Sequence, residues 1–193
     1  RQAQGRLDEV VALVEETAAA NPSLPVYRAA LAAAYCMLDR GDDARRVSAS
    51  DFADGFAAFP RDSTWLSALY WYADVAGRLD ASGPAAALVE LIAPWRDLVS
   101  NTGITSSGSA ASTLGVALAT CGRFDEASEA FEQGLAVNGA LDAPILLART
   151  HLDYGRMLLR SGDPERARSH VETALATARE LGLADIERDA ARL

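Results

Sequence analysis

Displacing the chain by 40 residues against itself superposes small and apolar positions. Gly115 falls on Gly155, Leu118 on Leu158, Gly122 on Gly162, Ala127 on Ala167, Leu135 on Leu175 and Leu141 on Leu181. A period of this size is the mark of stacked supersecondary units, each unable to bury its apolar face alone. Within a unit the small residues have a mechanical sense, because two antiparallel helices approach closely only where side chains are nearly absent. Gly115 and Gly155 are expected mid-helix at such a crossing, with Ala127 and Ala167 at another crossing in the following helix. Gly122 and Gly162 stand where a left-handed helix C-cap is wanted, and Asp125 and Asp163 where the next helix needs an N-cap.

The run Leu114-Gly115, Leu118, Ala127, Phe131 resembles the tetratricopeptide pattern of Leu-Gly, large apolar residue, Ala and Phe, with Ala111 in place of its leading Trp. The register extends backwards. Gly5 to Val10 opens a second helix of a pair, with Val14 at the Phe position and Pro22 at the terminating Pro. Val10 lies one tetratricopeptide period, 34 residues, before Ala44. First helices are expected over Val26–Leu38 and Thr64–Ala76, a second helix over Pro84–Ile92, and a last helix or cap over Ala184–Leu193. Between Thr64–Ala76 and Pro84–Ile92, Gly77 to Asp80 reads as a turn, and Ser82-Gly83-Pro84 lengthens it. The fold class expected is therefore all-α: a right-handed α-solenoid of antiparallel pairs, about nine or ten helices, in one domain covering residues 1–193. Only Ser100 to Ser109 lacks helical character, and its clustered Ser, Thr and Gly mark a loop that could act as hinge or lip.

Composition agrees with helices and narrows the chemistry. Forty of the 193 residues are Ala, the strongest helix former, and aromatic residues make up 7%. The net charge is −9, and every one of the 18 basic residues is Arg. Without Lys there is no Schiff-base amine, no lysine general base and no phosphate loop of the usual kind. An acidic balance without a concentrated basic face argues against nucleic-acid binding. No apolar run reaches the length needed to span a bilayer, and a soluble cytoplasmic setting is expected. A chain starting at Arg1, with Met37 and Met157 its only methionines, reads as a segment of a longer protein. Cys36 and Cys121 lie in Ala/Leu-rich helical stretches and are expected as buried, reduced, structural thiols.

No catalytic set, cofactor loop or metal site emerges. Gly103 to Gly108 has phosphate-loop spacing, but Ser109-Ala110 stand where Lys and Ser/Thr should follow. His151 and His170, the only histidines, sit on different helices and read as packing or surface residues. Asp8-Glu9, Asp42-Asp43, Asp125-Glu126 and Asp163 with Glu165 cluster at expected helix starts, where negative charge complements the helix dipole. Tyr70-Trp71-Tyr72 cannot all face one way, since successive helical residues are about 100° apart. At least one should line a surface or groove.

Phe59 to Trp65, Leu91 to Trp95, Gly122 to Ala127, Ala148 to Asp163 and Ala174 to Gly182 are similar to the tetratricopeptide-like region of actinobacterial signalling ATPases of the AAA/STAND type. That resemblance implies a parent chain with an ATPase module, joined to a cyclase domain or to a LuxR-type helix-turn-helix domain. It implies for this segment a non-catalytic interaction or sensor role, with a protein, peptide or small anionic effector on the concave face and the ATPase domain as intramolecular partner. A spacer or self-association scaffold is the alternative. The tetratricopeptide register places Ser67, Trp71 and Asp74, then Ser109, Ser112 and Thr120, then Arg149, Arg156 and Arg160 on that face. The three arginines, at i, i+7 and i+11, form a stripe suited to a carboxylate or peptide, or else pair with acids of the following helix.

Overall fold

The computed structural model describes residues 6–103 and 105–193. Among them, ten α-helices follow one another with a single small β-hairpin between the fifth and sixth. They are α1 (Val11–Ala20), α2 (Pro25–Met37), α3 (Gly41–Ala53), α4 (Trp65–Arg78) and α5 (Ser82–Ile92). After a 3₁₀ turn (Ala93–Trp95) and strands β1 (Val99–Asn101) and β2 (Ser106–Ser109) come α6 (Ala110–Thr120), α7 (Phe124–Ala140), α8 (Pro144–Ser161), α9 (Pro164–Leu181) and α10 (Ala184–Ala190). The fold is an all-α helical repeat solenoid, as the repeat register required. Gly5, expected to open a helix, lies outside the described residues, and α1 begins only at Val11, after a turn.

Helix boundaries follow from local chemistry. Pro25, Pro144 and Pro164 each take the first helical position, where a missing N–H costs nothing and φ is preset. Asp163 caps α9, its carboxylate accepting from the Arg166 amide at 3.1 Å. Asp125 lies in the first turn of α7 without a capping bond, so only one of the two expected caps forms. Six of the short interhelical turns carry one left-handed residue: Gly122, Gly162 and Gly182 on one side, and Asp39, Asp80 and Asp142 on the other. Asp tolerates this conformation because its short side chain bonds locally, although at a cost Gly avoids.

Successive helices pack as antiparallel pairs, α2 with α3, α4 with α5, α6 with α7 and α8 with α9. The first helices of consecutive pairs also pack on one another. Ala44, Ala85, Ala127 and Ala167, one in each second helix, are fully buried at these crossings. Gly155 shows why nothing larger fits in the facing helix: a Cβ there would lie 2.8 Å from Val171 Cγ2 and 3.2 Å from the Ala167 carbonyl oxygen. A Cβ at Gly115 would lie 2.9 Å from the Phe131 ring. Close backbone approach lets an Ala-rich core reach native packing density without many large side chains.

The Ser100–Ser109 segment departs from expectation. It forms an antiparallel hairpin in place of an irregular loop, with Val99 opposite Ser109 and Ser100 opposite Gly108. Ser100 and Ser109 are buried. The hairpin is tied to α4 through Ser67 Oγ and Ser100 Oγ at 3.1 Å, and to α7 where the Ser109 amide donates to Asn138 Oδ1 at 3.0 Å. Pairing and these two anchors satisfy the polar groups that made the stretch look like solvent-exposed loop.

Candidate functional site

Five helices, α2, α4, α6, α8 and α10, bring residues from their C-terminal halves or following turns around one chamber of about 350 Å³, and α7 adds Phe131. Its lining combines apolar residues (Cys36, Val116, Phe131, Met157) with acids (Asp39, Asp74, Asp153, Asp189) and arginines (Arg78, Arg156, Arg160, Arg192). Beside it, sharing Asp74, Val116 and Asp153, lies a cleft of about 30 Å³ that reaches Tyr70, Ser112 and Arg149. Chamber and cleft adjoin one another and make up one groove.

The electrostatics are dominated by one buried knot. Arg78, near the end of α4, donates from Nε to Asp74 at 3.0 Å and from Nη2 to Asp189 Oδ2 at 2.6 Å. Arg149 donates to Asp185 and, from Nη1, to Asp189 Oδ2 at 3.2 Å. Arg156 bonds Asp153 at 3.0 Å and stands 3.9 Å from Asp189. Three guanidiniums thus converge on Asp189, whose side chain is only 7% exposed. Burial alone would favour its neutral form, but Arg78 and Arg149 hold its carboxyl below the usual range. The field of Asp74, opposed by burial and aided by Asp189, raises the Arg78 pKa further. Burial works against charge on Arg149, and Asp153, Tyr70, Asp185 and Asp74 outweigh it. Asp153 is lifted above the ordinary carboxylate range by burial, and burial pushes the Cys36 thiol up to about 11, leaving it unreactive.

Of the nine residues placed on the inner face by register, Asp74, Thr120, Arg156 and Arg160 border the chamber, and Ser112 and Arg149 border the cleft. Thr120 is buried, its hydroxyl donating to the Val116 carbonyl at 2.8 Å. Ser112 is half-buried and shares a hydrogen bond of 3.1 Å with Thr150. Ser67 and Ser109 line neither space: Ser67 is buried against Ser100 of the hairpin, and Ser109, the last residue of β2, is buried and caps α6 by accepting from the Ala111 amide. Trp71 lines neither space, being half-buried against the core with its ring 4.9 Å from Tyr70. Tyr70, its neighbour, is the aromatic that enters the cleft. The arginine stripe also needs correction, since Arg149 and Arg156 are spent on Asp185, Asp189 and Asp153. Only Arg160 keeps a loose partner, Asp80 at 3.6 Å, with the two side chains 39% and 83% exposed.

The register missed Arg78, because the turn was placed at Gly77–Asp80 while α4 runs through Arg78. It missed Asp185 and Asp189 because they stand on what looked like a mere cap. The histidines were taken singly, yet His151 Nδ1 and His170 Nδ1 lie 2.9 Å apart between α8 and α9. Burial, and for His151 its neighbour, lowers both pKa values, His151 to about 4. Cys36 is buried as expected, while Cys121 is half-buried at the end of α6. Among the described residues no helix is long and apolar enough to cross a membrane.

No curated protein and no solved structure matches the chain. Residues 106–180, which run from β2 to the end of α9, match the family model described as tetratricopeptide repeat. Repeats of that family generally mediate protein–protein interaction. That part of the solenoid is therefore tetratricopeptide-like.

Proposed function

We propose that this chain is a non-catalytic interaction module that holds a segment of a partner protein in the groove bordered by α2, α4, α6, α8 and α10, within a larger ATP-dependent signalling or transcription regulator in the cytoplasm. The observation that carries the reading is the chamber itself, lined by apolar residues and by charges of both signs at the point where these five helices meet. Such a site orients a ligand by a few polar contacts around an apolar anchor. Arg160, loosely engaged in that lining, supplies a contact for an anionic group of a peptide or a small effector. The parent's ATPase module would then respond to occupancy through a shift among solenoid curvatures, limited by the ligand's differential affinity for them.

A photo-crosslinking residue at Arg160, in the parent protein within its host cell, should capture a discrete partner, whereas one at exposed Glu129 on α7 should not. Equal capture from both positions would overturn the groove assignment. The intramolecular pairing of Arg149 and Arg156 favours a second reading, a spacer scaffold without a ligand of its own. That reading requires no discrete adduct at either position.

A further inference from the structure

One wall of the groove, α10, is held in place by specific chemistry. Helix α10 presents Asp185 and Asp189, four residues apart and so on one face, to Arg149 on α8 and Arg78 on α4. On the adjoining face Ile186 and Ala190 pack into a small apolar cluster with Ala148, Leu152, Ala174 and Ala178. The fit is incomplete. Asp185 Oδ1 and Arg188 Nε are buried with no hydrogen-bond partner, and an orphaned buried polar atom is a standing penalty on the bound state.

We propose that the groove accepts from a partner protein an acidic helix with carboxylates at i and i+4 and small or apolar residues at i+1 and i+5, and that α10 occupies this position in its absence. The inference deepens the interaction reading above and rests on it. Its logic is one of charge exchange. Withdrawing α10 strips Arg149 of both its carboxylate partners and leaves Asp74 and Asp153 to offset three guanidiniums, an excess of positive charge that incoming carboxylates neutralise. An uncharged or basic helix therefore cannot displace α10, while an acidic one that also satisfies the orphaned atoms competes with it. Selectivity for acidic helices arises from the cost of the empty state.

The test uses a synthetic peptide of residues 183–193 and a control peptide with Asn at both Asp positions, titrated into the full chain. The full-chain D185N/D189N variant, whose own α10 no longer neutralises the arginines, should bind the native peptide at least about tenfold more tightly than the unaltered chain does, and neither protein should bind the control. If D185N/D189N fails to fold, hydrogen exchange on the unaltered chain decides. Excess native peptide should speed exchange of the α10 amides about tenfold or more, and the control peptide should leave them unchanged. Equal binding of both peptides, no change in α10 exchange, or a dimer formed by swapping α10 between copies would each overturn the proposal. A crosslink from position 160 that survives alongside absent peptide binding removes α10 as a mimic and leaves the interaction reading standing. Loss of the crosslink as well removes the reading itself.

Discussion

The two halves of the solenoid solve the same packing problem differently. In α6 to α9 helices meet through absent side chains, at Gly115, Gly155, Ala127 and Ala167, and spacing recurs with a 40-residue period. In α2 to α4 the crossing is filled. Phe52, Phe56, Phe59 and Tyr72 form a ring cluster with centroids 5.4 to 5.9 Å apart. Beneath it Asp51, 4% exposed, takes hydrogen bonds from Arg28 and from the Tyr72 hydroxyl. A glycine crossing repeats because it depends on one residue at a fixed place. An aromatic cluster with a buried ion pair is a local solution, and it leaves no periodic trace.

The contrast can be broken from either side. The largest effect is expected at Asp51→Ala, which strands Arg28 and the Tyr72 hydroxyl and should cost about 3–5 kcal/mol in chemical denaturation. Gly155→Leu should follow at about 3 kcal/mol, since the added side chain meets Val171 and the α9 backbone. Gly83→Ala, with nothing within 4 Å of the new Cβ, should change stability by less than about 1 kcal/mol. Comparable losses at Gly155 and Gly83 would show that the glycine crossings are not what holds the regular half together.

A smaller, pH-dependent effect belongs to the regular half alone. His151 and His170 titrate lower in the folded chain than in the unfolded one, so the neutral pair favours folding above the unfolded pKa. That contribution is lost as pH falls from about 6.5 towards about 4. His151→Gln should therefore flatten the fall in melting temperature over this window compared with the unaltered chain, and parallel curves would discount the pair. Smallest of all, Asp142→Gly should raise stability by a few tenths of a kcal/mol, because Gly adopts the left-handed turn more easily. A lowered melting temperature would mean that the Asp142 side chain stabilises that turn.

Sequence pattern reached as far as local geometry reaches. The close crossings at Gly115 and Gly155, the left-handed caps at Gly122 and Gly162 and the final helix were all legible, because each depends on one residue type at one offset. The hairpin was not, since Ser100 and Ser109 are held by Ser67 and Asn138, residues distant in sequence. Of the residues that border chamber and cleft, the register named Asp74, Ser112, Thr120, Arg149, Arg156 and Arg160, but it was blind to Asp189, on which the arginines converge. The histidine pair was not legible from spacing, since His151 lies ten residues before the end of α8 and His170 six after the start of α9, and only the packing of the two helices brings them together.

One contact changes how this stack should come apart. Arg192 donates to both oxygens of Asp39, at 3.0 and 2.8 Å, joining positions 153 apart in sequence. Linear repeat arrays ordinarily fray from whichever end is weaker, because each unit knows only its neighbours. Here the α10 tail leans on the α2–α3 turn, so loosening one end withdraws a support from the other. An exposed pair of this kind contributes no more than about 1 kcal/mol. It is a latch strong enough to couple the α10 tail to the α2–α3 turn and weak enough to yield.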